Sequence, residues 1–255
     1  MNRRSEYKKI ALEAVQKAGT IITDYFHHLP KVETKPDHTP VTKADKEAEE
    51  IIVSTISKAF PNHGFIGEEF GTENENAEFT WIIDPIDGTK TFIRGMPFFG
   101  TVLGLRHQNK IILGISHMPI LNELLYASDE EPTTLNGKPV RVSKIEKLKD
   151  SYVNVNPSNL ANTNLTNILR ALDPKVLNIR GFGDLYGYHL VANGRADAFL
   201  EIGPSAWDIS AFQIIIKQAG GEYSDFDGNE YALGGTSLAT NGLLHQQLLS
   251  FIQSS

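Results

Sequence analysis

The sequence predicts an α/β protein built as two closely packed lobes. Three features predict it: a helical hydrophobic repeat near the N-terminus, a central series of short apolar runs separated by hairpin signals, and a C-terminal stretch in which strand-length and helix-length segments alternate.

Tyr7, Ile10, Ala11, Ala14, Val15, Ala18, Ile21, Ile22 and Tyr25 recur at three- and four-residue steps, so the first element is an amphipathic helix, expected to stop near Leu29-Pro30. After a polar, Pro-containing connector, Ala44, Ala48, Ile51, Ile52, Thr55, Ile56 and Ala59 repeat the pattern until Pro61 ends it. Residues 79–83 form an apolar run of strand length broken by Asp84-Pro85, and residues 98–105, 111–117 and 123–127 are further strands. Asn136-Gly137 marks a hairpin between 133–135 and 139–142, because both residues tolerate the positive φ of a tight primed turn. Beyond Lys144 the expected order is strand 152–155, helix 165–171, strand 176–179, helix 185–193, strand 198–201, helix 208–219 and a closing helix from Leu243. The lobes are taken as residues 1–145 and 146–255, meeting near 142–150.

At 255 residues the chain can bury roughly 70–75% of the surface its unfolded form exposes, so neither disulfide nor metal is needed to hold a core. Its 40% hydrophobic and 22% charged residues exclude disordered and collagen-like classes. Cysteine is absent, which removes thiolate nucleophiles and Cys-ligated zinc or iron–sulfur sites. With 31 acidic against 24 basic residues and a net charge of −7, the balance suits neither nucleic acid nor an anionic membrane, and an anionic substrate will need a cation to offset repulsion. Arg3 and Arg4 are followed by Glu6, Lys8, Lys9, Glu13 and Lys17, which break up any signal-peptide core, so the expected location is the cytoplasm.

The segment richest in chemistry is Trp81-Ile82-Ile83-Asp84-Pro85-Ile86-Asp87-Gly88-Thr89. An apolar strand delivers two carboxylates into a turn, and Gly-Thr after them opens a helix whose first amides are free. Such a set suits a divalent cation bound to phosphate. Asp, Pro and Gly also make turns in their own right, so the segment alone leaves both readings open. Gly67-Glu68-Glu69 follows an apolar Phe65-Ile66, and Asp208 follows Trp207 at a helix start. Singly, Glu68 reads as solvated and Asp208 as a helix N-cap. Gathered at one buried rim, the acids would take up protons unless cations compensated them, and an oxygen-only set favours magnesium over zinc.

Together Asp84-Pro85-Ile86-Asp87-Gly88-Thr89, Trp207-Asp208-Ile209-Ser210-Ala211 and Gly67-Glu68-Glu69 resemble the signature motifs of the inositol monophosphatase family of lithium-sensitive, magnesium-dependent phosphatases. Val41-Thr42-Lys43-Ala44-Asp45 resembles that family's early Asp motif and Leu135-Asn136-Gly137-Lys138-Pro139 its hairpin. The resemblance implies a five-layer αβαβα sandwich with the site where the lobes meet, and a homodimer. It implies that Glu68, Asp84 and the backbone carbonyl of Ile86 hold one magnesium ion, that Asp84, Asp87 and Asp208 hold a second, and that Glu68 shares a weaker third. The attacking water would be made acidic by magnesium and oriented by Thr89 with Asp45 behind it. The amides of Gly88 and Thr89 would hold the phosphate.

Lys90-Thr91-Phe92 departs from the Thr-Asn-Phe that usually follows Asp-Gly-Thr in inositol monophosphatases, and with Gly183-Asp184-Leu185-Tyr186-Gly187-Tyr188 it resembles the histidinol-phosphatase branch. The expected substrate is therefore histidinol phosphate, with inositol 1-phosphate as the alternative. Adenosine 3′,5′-bisphosphate, suggested by Lys90 and weakened by Thr91, stands behind both. A cationic amino alcohol needs acids at the pocket mouth, and Asp184 and Glu201 are the candidates; their other readings are a helix N-cap and a strand-end surface acid. Asp225-Phe226-Asp227-Gly228-Asn229 looks like the start of a calcium loop but misplaces its Gly, so a turn is expected. His27 and His28 are expected to be solvated, and Trp81 and Trp207 to pack beneath the acids.

Overall fold

The computed structural model describes residues 3–28, 32–34, 40–159, 162–231 and 234–254. The chain opens with α1 (Arg3–His27), then a small antiparallel pair, β1 (Val32–Thr34) and β2 (Pro40–Thr42), then α2 (Lys43–Ala59). The expected helix stop at Leu29-Pro30 lies outside the described residues. Next come β3 (Gly64–Gly67), β4 (Gly71–Glu73), β5 (Phe79–Asp87), the single turn α3 (Thr89–Phe92), β6 (Gly100–His107), β7 (Lys110–Met118), β8 (Glu123–Ser128), β9 (Glu131–Leu135) and β10 (Lys138–Pro139). These strands form an eight-stranded sheet in the order β10-β9-β8-β7-β6-β5-β3-β4, antiparallel except where β3 meets β5. The second half contributes β11 (Tyr152–Val155), α4 (Thr163–Leu172), β12 (Asn178–Arg180), α5 (Asp184–Ala192), β13 (Ala198–Ser205), α6 (Ala206–Gln218), β14 (Glu222–Ser224), β15 (Gly234–Thr240) and α7 (His245–Gln253). Its five-stranded sheet runs β12-β11-β13-β15-β14.

Side-chain parity sorts these elements into layers, because successive residues of a strand face opposite ways. On β5, Trp81 and Ile83 pack with Val15, Ile22, Ile52 and Ile56, so α1 and α2 cover one face of the large sheet. Ile82 faces the other way and packs with Leu185, Tyr188, Phe212 and Ile215 of α5 and α6. Phe199 of β13 joins that same middle layer from the second sheet, while its neighbours Ala198 and Leu200 face Ile168, Leu172, Leu248 and Ile252 of α4 and α7. The result is the expected αβαβα sandwich. Its middle layer is thin at one place: Gly104 and Gly114 are opposite one another on β6 and β7, and a Cβ on Gly114 would lie 2.4 Å from the Ala211 carbonyl oxygen. Glycine there lets the α6 backbone rest on the sheet.

Several boundaries differ from those expected, with physical reasons. The strand predicted to break at Asp84-Pro85 continues to Asp87, because the register with β6 shifts between Asp84 and Asp87 and this irregularity accommodates the residue that lacks an amide. Thr101 Oγ1 donates to the Pro85 carbonyl at 2.9 Å and closes the irregularity. The strand expected over 139–142 is only Lys138–Pro139. The strand expected over 176–179 lies at Asn178–Arg180. The short or glycine-rich strands β3, β4, β14 and β15 carry no alternation that local pattern could detect. Asn136 and Gly137 do have positive φ, 51° and 76°, as the hairpin requires.

Candidate active site

The site grows out of β5. Asp84 shares the parity of Ile82 and so faces the middle layer, at 2% exposure, and the register shift beyond it brings Asp87 to a nearby position at 8%. Gly88 then takes the left-handed conformation, φ 89°, and starts α3, its carbonyl accepting the Thr91 and Phe92 amides. Both acids are thus fixed by a strand end and a tight turn, as the sequence suggested.

Asp208 arrives from the middle layer. It is the third residue of α6, not its N-cap: Ser205 caps the helix, and the Ser205 amide donates to Asp208 Oδ2 at 2.7 Å in a reciprocal capping box. One oxygen each of Asp84, Asp87 and Asp208 lie within 4.8 Å of one another. Asp84 Oδ1 and Asp87 Oδ2 are buried and find no hydrogen-bond partner among the described residues. Burial first, then the charges of Glu68, Asp87 and Asp208, pushes the Asp84 carboxyl well above the usual carboxylate range. Burial followed by Asp184, Asp208 and Glu201 does the same to Asp87, with the Leu185 amide working against it. Asp208 is pushed up to about 6, chiefly by burial. Three clustered carboxylates, two of them with an orphaned oxygen, fit a hard divalent cation, which would supply the missing partners and restore their charge.

Asp45, fully buried on α2, forms the adjoining wall. Its Oδ2 accepts both the amide and the hydroxyl of Thr42, at 2.7 and 2.6 Å, in a second capping box. Its Oδ1 is left for Thr89, whose hydroxyl lies 3.3 Å away and also reaches the Ile86 carbonyl at 3.0 Å. Burial raises the Asp45 carboxyl and the Thr42 hydrogen bonds lower it. Glu68 stands half-buried beyond β3, outside the three-carboxylate cluster, yet its charge bears on Asp84, Asp45 and Asp208.

The opposite wall comes from the second sheet and α5. Glu201 shares the parity of Phe199, so it faces inward and is not the surface acid of the alternative reading; burial pushes it up to about 7. Asp184 is not an N-cap either. Gly183 holds that position, and Asp184 follows with φ 55°. Asn156 joins the two acids, its Nδ2 donating to Asp184 Oδ1 at 3.2 Å and to Glu201 Oε1. Tyr188 donates to Glu201 Oε2 at 2.8 Å. Asp184 is raised by burial and lowered by Asn156 and by the charge of Lys90. All ten residues singled out from the sequence therefore belong to one neighbourhood. Thr42 and Tyr188 lie inside motifs the sequence offered, but their bonds to Asp45 and Glu201 are met only in the fold, and Asn156 has no local signal at all.

Other arrangements are structural. Ser116 Oγ, His189 and Glu123 form a serine–histidine–acid series at 2.9 and 3.0 Å, but Ser116 and His189 are fully buried, and the series ties α5 to β7 and β8. Asp225 accepts the amides of Asp227 and Asn229 and closes the expected turn. His27 and His28 are exposed. A cavity of about 660 Å³ lined by Lys110, Gln213, Lys217, Tyr223 and Tyr231 contains none of the clustered acids.

The chain is similar to known proteins over nearly its whole length. The profile of the Inositol monophosphatase family matches residues 3–255. A histidinol-phosphatase of Chlorobaculum parvum is 37% identical over 247 residues, covering 96% of this chain and 95% of its own. An inositol-1-monophosphatase of Mesorhizobium japonicum is 33% identical over 258 residues, covering 98% and 97%. Among solved structures, the extragenic suppressor protein suhB of Bartonella henselae superposes with a TM-score of 0.91 at 28% identity, over 98% of this chain and 99% of that one.

Proposed function

The chain belongs to the inositol monophosphatase family, and on that premise we propose that it is a magnesium-dependent phosphomonoesterase acting on histidinol phosphate. The observation that carries the metal reading is the meeting of Asp84, Asp87 and Asp208 with two orphaned oxygens in a chain without cysteine. Glu68, Asp84 and the Ile86 carbonyl would hold one ion, Asp84, Asp87 and Asp208 a second, and Glu68 would share a third. Magnesium so held would lower the pKa of water and neutralise charge on the phosphate oxygens.

The residues of the chain supply orientation and proton transfer. Asp45 Oδ1 accepts the Thr89 hydroxyl proton as Thr89 Oγ1 takes one from the attacking water; as the water oxygen bonds to phosphorus the ester P–O bond breaks, and the departing alcohol oxygen takes its proton from solvent. The Gly88 and Thr89 amides bind the phosphate. On the far side, Asp184 and Glu201, joined by Asn156, set negative charge against the amine and imidazole of histidinol. Inositol 1-phosphate is the second reading, because Glu201 can equally accept from a ring hydroxyl.

The test is phosphate release with magnesium from histidinol phosphate, inositol 1-phosphate and adenosine 3′,5′-bisphosphate. A preference for histidinol phosphate of about 100-fold in kcat/KM, roughly 2.7 kcal/mol, is expected. Comparable rates on all three would leave the metal reading standing and remove the substrate. Asp87→Asn is expected to cut kcat by about 1,000-fold, since it removes a ligand charge where charge develops in the reaction; undiminished turnover would sink the metal reading.

A further inference from the structure

Glu49 lies on α2 one turn after Asp45, so the two acids share a helix face. Its exposure is 1%, an unusual place for a carboxylate. Its oxygens face the turn between β3 and β4: Oε2 accepts the Glu69 amide at 2.9 Å and Oε1 the Phe70 amide at 3.0 Å. At Gly67 a Cβ would lie 1.9 Å from Glu49 Oε1, so glycine is what leaves room for the carboxylate beneath the turn. The Glu68 amide donates to the Ile83 carbonyl of β5 at 3.2 Å. Three consecutive amides are thus tied down, two to α2 and one to β5, and the side chain they carry into the site is that of Glu68.

We propose that Glu49 is a positioning residue for the metal centre, its carboxylate clamping the 67–70 turn so that Glu68 reaches the cation shared with Asp84. The inference rests on the reading of Glu68 and Asp84 as magnesium ligands. A buried anion is costly beside a neutral side chain of the same shape. Glutamine cannot replace it, because its NH₂ donates and would leave one of the two amides without an acceptor. A ligand held by a mobile turn binds weakly, which is why groups that orient ligands matter nearly as much as the ligands. Since α2 also carries Asp45, one helix sets the distance between Glu68 and the Thr89 wall.

The test compares Glu49→Gln with Glu68→Gln and with Ile52→Val, a core change on the same helix. In the full chain, calorimetric Mg²⁺ affinity is expected to fall about tenfold or more in the first two and to hold in the third. In metal-free Glu49→Gln, amides 69 and 70 should exchange with deuterium about tenfold faster, while kcat recovers at saturating Mg²⁺. Unchanged affinity in Glu49→Gln beside a loss in Glu68→Gln overturns the clamp. Unchanged affinity in Glu68→Gln overturns the ligand reading beneath it. An equal loss in Ile52→Val, or kcat that stays low at saturating Mg²⁺, also overturns the clamp. Should Glu49→Gln fail to fold, the unaltered metal-free protein decides: amides 69 and 70 must exchange more slowly than those of the exposed turn residues Glu75 and Asn76, and equal rates overturn the proposal.

Discussion

Asp84, Asp87, Asp208 and Glu201 sit where water screens them poorly, and the burial that leaves them open to a cation also raises their pKa values. Asp208 and Glu201 rise from ordinary values of 3.8 and 4.5 to about 6 and about 7. The folded chain therefore holds these protons more tightly than the unfolded chain. The stability they contribute is fully present below pH about 4 and is lost as pH rises to about 7. A metal-free melting curve should show this component falling across that window, superposed on the other titrating groups; a component that rises instead would contradict the burial argument. Magnesium should displace the protons, so calorimetry in buffers of different ionisation enthalpy should detect proton release below pH about 7. Asp84→Asn should stabilise the metal-free chain at pH 8 by about 1 kcal/mol or more, because it removes one of several crowded charges, while weakening magnesium binding. A lower metal-free melting temperature in this variant would mean that the cluster is compensated by something other than a cation.

At the scale of elements, each site residue is placed by an ordinary structural device. Two capping boxes hold Asp45 and Asp208 at helix starts, the shifted register at Pro85 sets the spacing of Asp84 and Asp87, and strand parity turns Glu201 inward. The position of α6 depends on Gly104 and Gly114, where its backbone touches the large sheet. Gly114→Ala should push α6 outward and carry Asp208 with it, at a cost of about 1–3 kcal/mol in stability together with a loss of magnesium affinity. Stability lost with affinity intact would show that α6 can shift without moving its first turn. Thermal unfolding and metal titration on the same sample separate the two outcomes.

Across the whole molecule, the site draws on both sheets and on helices from the outer and middle layers, so a cation bound there ties together segments far apart in the chain. Magnesium at about 100 times its dissociation constant should add about 2.7 kcal/mol to stability. For a chain of 255 residues that corresponds to a rise in melting temperature of roughly 5–10 °C. No rise at all would mean that the acids do not gather a cation. Sedimentation should report the homodimer that the family resemblance implies, and a monomer at micromolar concentration would remove it.

What the sequence determined by itself was whatever depends on neighbours along the chain. Helical repeats gave α1 and α2, Asn-Gly gave the hairpin, and the contiguous motifs around Asp84, Asp87 and Asp208 marked the acids that the fold gathers. The tertiary structure decided what depends on distance between segments. It put Asn156 between Asp184 and Glu201, set Glu49 beneath the turn that bears Glu68, and extended β5 through a proline that local rules read as a break. The physical reason is the same in each case. Capping, turn preference and periodicity act over a few residues, whereas the burial that perturbs a carboxylate and the neighbour that answers it are made only when sheets and helices pack.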